Sequence, residues 1–145
     1  MINIKEKLKH HFQELAKSRT SENSIAAGFA IGTAIGLFPT PGFGTMLGVL
    51  IALILEKVNK VSIFVAMAVW NPIVCAPFHV LSYKLGDVIV GSNELILFNS
   101  SFLSRASNFS IRYAIGNIII TVSISSLCFF LAKYAVMLYR RRKKK

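Results

Sequence analysis

The chain has 145 residues, of which 54% are hydrophobic and only 16% are charged, yet its formal net charge is +11. A soluble domain of this length needs more polar surface, and a disordered polycation needs low hydrophobicity, so the composition argues against both classes. The bases cluster at the ends, with five in residues 1–19 and six in residues 140–145. An apolar body with basic ends predicts an all-α, integral membrane helical bundle.

The first element, residues 1–22, is predicted as a basic amphipathic helix. Ile4, Leu8, Phe12 and Leu15 share one helical face, and most of the lysines lie off that face. Such a helix either lies on an anionic membrane surface or packs on the rest of the protein as a solvated helix, and the pattern leaves both open. Its acidic residues and the lack of a clear cleavage site argue against a signal peptide.

The next run, from Asn23 to Leu55, carries no charge but is broken by Pro39, Thr40, Pro41 and Gly42. Proline lacks an amide hydrogen and restrains the preceding residue, so one helix should end near residue 38 and another should begin after residue 41. Each piece is roughly 21 Å long, which is short of a hydrocarbon core of roughly 30 Å. The run therefore predicts a Gly-rich re-entrant or short helical hairpin.

Small residues recur every four positions on both pieces of this hairpin. In lipid, helices associate through close contact of such small faces, so we expect the two stripes to pack against each other. The two stripes are Gly28, Gly32 and Gly36 on the first piece and Gly44, Gly48 and Ala52 on the second.

The second apolar run, Val61–Tyr83, predicts a Pro-broken helix. Asn71 can cap a restarted helix with Pro72 at its first position, and Pro77 should kink or unwind the chain again. Backbone carbonyls freed by these breaks need partners inside the protein or in a water-filled cavity. Residues 23–90 are thus predicted as a membrane-embedded core with two broken helices.

The remaining residues predict a loop and a membrane-spanning helix. Residues 91–110 are mixed in character and are expected to form an exposed loop with an interfacial helical stretch. Residues 111–139, by contrast, contain a charge-free run of 20 residues, Tyr113–Ala132. Residues 140–145 form a basic cytoplasmic tail. A polar-to-small stripe along the helix should face protein; it serves packing or, alternatively, an ion path. Its members are Asn117, Thr121, Ser125, Cys128 and Ala132.

The distribution of bases predicts the orientation. If the N-terminus, the charged turn at residues 56–60 and the C-terminal tail are cytoplasmic, 14 of 17 Lys and Arg residues lie inside and only Lys84, Arg105 and Arg112 lie outside. In this arrangement the first run returns to its own side, the second crosses outward and the third crosses back. The prediction is a multi-pass protein with both termini in the cytoplasm.

Two segments, GFAIGTAIGLFPTPGFG (28–44) and AVWNPIVCAPFHVLSYKLG (68–86), resemble DUF2062, a domain-of-unknown-function family of small bacterial membrane proteins. The resemblance covers about residues 25–90. It implies the glycine-rich helix, the Pro break, a second apolar helix and a Trp-Asn-Pro element in a bacterial cytoplasmic (inner) membrane, but no reaction. The matching positions are Gly28, Gly32, Gly36, Pro39, Pro41, Gly42, Asn59, Trp70, Asn71, Pro72, Pro77, Tyr83 and Gly86.

Two Gly/Pro-interrupted apolar segments are a pointer to a transport site near the bilayer midplane. Helices that begin after Pro41 and Pro72 would aim positive dipole ends at an anionic substrate, such as a phosphorylated lipid carrier. So few helices cannot enclose a path alone, so a homo-oligomer is expected. The alternative is a structural or interaction module whose basic ends bind anionic lipid headgroups. The candidate substrate-binding residues are Pro39, Pro41, Gly42, Trp70, Asn71, Pro72, Pro77, His79, Tyr83 and Lys84.

Catalytic, metal and nucleic-acid sites are not expected. His79 and Asp87 lack a second carboxylate, and Cys75 and His79 are two ligands at most, with a proline between them. Cys75 and Cys128 lie in apolar stretches and are interpreted as small buried hydrophobes. The basic tail has no aromatic or groove-reading partners, so we expect no nucleic-acid partner, no enzyme activity and no cofactor.

Overall fold

A computed structural model describes residues 21–40, 42–91 and 101–143, and these residues form five α-helices and no strand. The all-α prediction is confirmed for this part of the chain. The amphipathic helix predicted over residues 1–22 falls almost wholly outside the described residues, as do Pro41 and the last two residues of the basic tail. The helices are α1 (Glu22–Leu37), α2 (Gly44–Ile54), α3 (Lys60–Val69), α4 (Pro72–Val90) and α5 (Ser101–Lys143).

Side-chain caps set the starts of three helices. Ser21 accepts a hydrogen bond from the Ser24 amide at 3.1 Å, and Asn59 accepts one from the Ser62 amide at 2.9 Å. Asn71 caps α4 with Pro72 in its first turn, as the sequence predicts. No side chain caps α2, which follows the Pro break.

Helices α1, α2 and α3 run up, down and up beside one another. The Ser24 hydroxyl donates to the Lys57 carbonyl at 2.6 Å, and the Asn59 amide donates to the Ser24 carbonyl at 3.2 Å. Helices α1 and α2 are therefore antiparallel, and the end of α2 lies level with the start of α1. A short helical hairpin, one of the two forms expected for this run, is present.

The glycine stripe of α1 faces α3, which corrects the expectation that it faces α2. A Cβ atom at Gly28 would lie 2.5 Å from the Asn59 carbonyl oxygen, and one at Gly32 would lie 2.2 Å from the Ile63 carbonyl oxygen. On α2, Gly48 approaches Met67 of α3 instead. The α1 stripe thus packs against the third helix, whose small residues Ser62 and Ala66 lie at its contact positions, and Gly48 of the second stripe packs against the same helix.

Helix α5 packs along both α1 and α4. It is antiparallel to α1, since Asn117 lies beside Leu37 and Arg140 lies 3.9 Å from Glu22. It is also antiparallel to α4, since a Cβ at Gly116 would meet the Ser82 carbonyl and one at Gly86 would meet the Arg112 carbonyl. Helix α4 therefore packs on the N-terminal part of α5, and α1 packs on its C-terminal part. Helix α4 continues in the direction of α3.

Two predictions are refined by the structure. The helical stretch predicted within residues 91–110 is, over residues 101–110, continuous with the helix predicted from residue 111, so α5 begins at Ser101; residues 92–100 lie outside the described residues. Pro77 lies inside α4, which continues through it as an α-helix, so the proline does not unwind the chain; it removes one helical hydrogen bond, to the Ile73 carbonyl. The break in the second apolar run lies at Trp70 and Asn71.

Two of the described helices are long and apolar enough to cross a membrane, namely Pro72–Val90 and Phe102–Arg142. The surface is apolar as well: Val88 is 80% exposed and Phe102 is 78% exposed. Exposed large apolar residues recur on helices α2 to α5. The surface of a soluble protein rarely carries so many of them, and such a surface is typical of one that faces a membrane or a protein partner.

Candidate functional site

The two breaks in the apolar helices meet at one level of the bundle. The first break, residues 38–43, joins α1 to α2, and the second break, Trp70 and Asn71, joins α3 to α4. A Cβ at Gly36, in the last turn of α1, would lie 2.6 Å from the Trp70 Cβ, so the end of α1 touches the second break directly. Parallel packing of α1 on α3 produces this alignment, because both helices end at the same height.

An open cavity of about 550 Å³ lies between the two breaks. Its volume is within the range of ligand-binding clefts, and its lining combines apolar surface with a few polar side chains. It is lined by Ile35, Gly36, Phe38, Pro39, Thr40, Gly42, Gly44, Thr45, Met67, Ala68, Trp70, Asn71, Pro72, Cys75, His79 and Tyr113.

Trp70 is held in place from two sides. Its indole Nε1 donates to the Thr33 hydroxyl at 2.9 Å, and Thr33 is fully buried in α1. Its ring meets the Phe78 ring edge-on at a centroid distance of 5.2 Å, a favoured aromatic arrangement. The indole is therefore a fixed wall of the cavity.

The second break satisfies its own backbone groups. The Asn71 Oδ1 accepts from the amides of Ile73 and Val74 at 3.0 and 3.1 Å, which leaves its Nδ2 amide free of the capping bond. The Cys75 thiol lies 3.4 Å from the carbonyl oxygens of Gly36 and Trp70. The carbonyl freed at Trp70 thus finds its partner inside the protein, as expected for an interrupted helix.

A second cavity of about 500 Å³ lies beside the first, between α4 and α5, and we call it the lateral groove. The two cavities share His79 and Tyr113, whose Nδ1 and hydroxyl are 2.8 Å apart. Tyr83 stacks on Phe109 at 4.7 Å along the groove. The groove is lined by His79, Val80, Tyr83, Lys84, Phe109 and Tyr113.

The structure brings together most of the predicted substrate-binding residues. Six line the central cavity, three line the lateral groove, and His79 belongs to both. Pro77 lines neither cavity, and Pro41 lies outside the described residues. The six in the cavity are Pro39, Gly42, Trp70, Asn71, Pro72 and His79, and the three in the groove are His79, Tyr83 and Lys84.

Sequence reasoning missed Thr33 and Tyr113. Thr33 stands next to Gly32 in an apolar helix, and a lone polar residue beside a close-packing position is a signal that could have been used. Tyr113 was assigned only as the start of a span. Its meeting with His79 depends on the antiparallel register of α4 and α5, for which the sequence carries no local sign.

The polar stripe of α5 faces protein, as predicted. Asn117 is 2% exposed and its Nδ2 lies 3.2 Å from the Leu37 carbonyl and 3.4 Å from the Ser82 hydroxyl. The Thr121 hydroxyl lies 3.5 Å from the Asn117 Oδ1. One amide therefore joins the end of α1 to the middle of α4. Ser125 lies farther along the stripe, and its buried hydroxyl has no hydrogen-bond partner among the described residues.

Charged and metal-ligating groups are sparse around the two cavities. Arg112 of α5 pairs with Asp87 of α4 at the end of the bundle opposite Glu22 and Arg140. Across the described ranges, no three His, Cys, Asp or Glu side chains are grouped closely enough to hold a metal ion. Cys75 and His79 both line the central cavity, and each is engaged by a hydrogen-bond partner of its own.

Comparison with known proteins extends the resemblance seen in the two sequence segments. No curated protein and no solved structure matches the chain. The model of a family described as an uncharacterized protein conserved in bacteria matches residues 5–145, well beyond the residues 25–90 on which the resemblance was based. The chain therefore belongs to the bacterial family DUF2062.

Proposed function

We propose that this protein is a multi-pass protein of the bacterial cytoplasmic membrane. In this proposal the α1–α2 hairpin enters the membrane and returns, α3 and α4 cross together as one broken helix, and α5 crosses back. The positions of the bases support it: the Ser24–Lys57 and Glu22–Arg140 contacts gather the α2–α3 turn and the basic end of α5 at one end of the bundle. A shared basic end is expected at the cytoplasmic face.

Within this membrane protein, the central cavity binds an anionic substrate, such as a phosphorylated lipid carrier, for translocation. The observation that carries this function is the cavity between the two helix breaks, into which the start of α2 opens without a side-chain cap. Helix N-termini present positive dipole ends, and Asn71 adds an amide donor. No carboxylate occurs among the described residues that line the cavity, so nothing there opposes a negative charge.

The proposed activity is binding and movement of a ligand, without catalysis and without a cofactor or metal. Acid–base chemistry needs a positioned pair of titratable groups. His79 is the one histidine in the described lining, and its Nδ1 is engaged by the Tyr113 hydroxyl, with no carboxylate alongside. The open shape of the cavity suits a site that a second copy of the chain completes, so the proposed partners are a second copy and anionic membrane lipid.

Asn71 offers a matched pair of variants to test the cavity. Asp and Ser both cap a helix well, so N71D and N71S should fold alike. The aspartate, however, places a negative charge in the cavity. We expect purified wild type to carry an enriched anionic lipid, measured by mass spectrometry of the extracted lipid. N71S, which loses the amide donor but adds no charge, should keep most of that enrichment, and N71D should lose at least about tenfold of it.

Two outcomes would overturn the transport proposal. Lipid of bulk composition in the wild type would favour the alternative, a structural or interaction module that uses its basic ends to bind anionic headgroups. Equal enrichment in N71D and N71S would show that the bound lipid does not occupy the cavity. Removal of residues 140–145 separates the sources, because loss of enrichment on that deletion alone would assign the lipid to the tail.

A further inference from the structure

The lateral groove has apolar walls and one polar boundary, which it shares with the central cavity. Its walls are aromatic and aliphatic: the Tyr83 and Phe109 rings stack at 4.7 Å, and Phe109 and Tyr113 lie nearly parallel at 6.5 Å. One boundary is polar, because His79 and Tyr113 belong to both cavities. Lys84 also lines the groove, five residues farther along α4 than His79. The groove is thus an apolar slot whose polar boundary is the His79–Tyr113 pair.

Such a slot matches an amphipathic anion. An apolar groove of about 500 Å³, walled by rings that pack on one another, can hold a hydrocarbon chain in a fixed place. Beyond the hydrogen bond that joins them, the His79–Tyr113 pair at the shared wall keeps one proton, on the Tyr113 hydroxyl or on the His79 Nε2 according to the histidine tautomer, and that proton can be donated to a phosphate oxygen. Lys84 carries a positive charge on the same helix, in the lining of the groove.

We propose that the lateral groove is the binding site for the hydrocarbon chain of a lipid phosphate whose phosphate group lies at the His79–Tyr113 wall. The inference rests on the proposed function, since it names the substrate class of the same site: a lipid that enters sideways between α4 and α5. The groove then determines that the ligand carries a chain, and the central cavity determines that the ligand carries a negative charge.

Val80 provides the variant that fills the groove. It lines the groove and is 59% exposed, so V80F adds bulk to the groove without disturbing the packed interior. Val88 lies on the same helix, is 80% exposed and lines neither cavity, so V88F is the matched control. Neither change introduces a tryptophan, so Trp70 remains the single tryptophan of the chain and reports directly on the central cavity.

The protein is reconstituted in zwitterionic nanodiscs and photolabelled with an alkyl phosphate that carries a diazirine at its chain end. We expect labels on the α4 and α5 residues of the groove. Labelling in V80F should fall about tenfold, and labelling in V88F should stay within about twofold of the wild type. Unlabelled dodecyl phosphate should compete far better than inorganic phosphate, and both should change the Trp70 fluorescence of the wild type.

The outcomes separate this inference from the proposed function. If inorganic phosphate competes as well as dodecyl phosphate and V80F labels like V88F, the chain site is wrong while the anion site stands. If dodecanol competes as well as dodecyl phosphate and V80F abolishes the labelling, the groove stands and the anionic function is wrong. Labels that never reach the groove residues would mean that another part of the chain or a second copy fills the groove, which overturns the inference.

Discussion

Replacing Gly116 with alanine is the strictest test of how closely α4 packs on α5. A Cβ added there would lie 1.8 Å from the Ser82 carbonyl oxygen and 2.8 Å from the Gly86 amide nitrogen. Both obstacles are backbone atoms, which cannot rotate away as a side chain can. The matched control is Gly44, where the added Cβ would meet only the Thr40 hydroxyl, at 3.2 Å.

The size of the effect follows from these distances. Non-bonded carbon contacts are optimal near 3.5 Å, so G116A requires the two helices to separate by roughly 1.5 Å. Overpacking of this kind costs about 1–3 kcal/mol, and an unyielding backbone contact places the cost near the upper end. Alanine recovers about 1 kcal/mol of helix propensity over glycine. We therefore expect G116A to lower the free energy of unfolding by about 2 kcal/mol, and G44A to leave it unchanged within about 1 kcal/mol.

Reversible unfolding in mixed SDS micelles, followed by Trp70 fluorescence and by circular dichroism, measures this difference. A second variant sharpens the test: G86A places a Cβ against the Arg112 carbonyl in the same interface. Once one alanine has separated the helices, the second should cost less, so the double variant should be less destabilised than the sum. Equal stability of G116A and G44A would refute the close contact of α4 and α5.

Three further predictions concern hydrogen bonds and charge. N117L removes the amide that joins Leu37 to Ser82 and should destabilise the protein by about 1 kcal/mol in the same SDS titration, because a hydrogen bond between protein groups contributes at this level. An unchanged midpoint would contradict this link between α1 and α4. W70F removes the donor to buried Thr33 and should cost about 1–2 kcal/mol by circular dichroism, while T33V in the W70F background should cost little more, since the pair is already broken. R112Q and D87N should each weaken the protein, and the double variant should recover part of the loss, so purely additive effects would exclude a coupled ion pair.

Local chemistry made several elements predictable. Proline placed the first break, and α1 does end at Leu37, just ahead of Pro39. Asn71 and Pro72 together specified the start of α4, because a capping side chain and a proline in the first turn act within three residues of each other. The candidate site was predictable to the same extent, since most of its residues belong to these two breaks.

Other features could not be read from the same residues. Residues 101–110 contain polar side chains typical of a loop, yet they continue α5. Within this helix, the Asn108 amide and the Ser110 hydroxyl donate to the carbonyls of Ser104 and Ala106 at 2.8 and 2.9 Å. Such side chains satisfy themselves equally well in turns and in helices, so their local pattern leaves both states open.

The sequence by itself determined where this protein is apolar, where its two helix breaks lie and which stretches of the chain carry its bases. Each of these properties belongs to a residue and its near neighbours. The tertiary structure decided which surfaces meet: the glycine stripe of α1 faces α3, Asn117 joins two helices, and Tyr113 faces His79 across the wall between two cavities. A small residue specifies how closely a partner helix can approach, and an amide specifies which hydrogen-bonding group that partner must present. Which helix supplies the partner depends on the direction and register of the whole bundle.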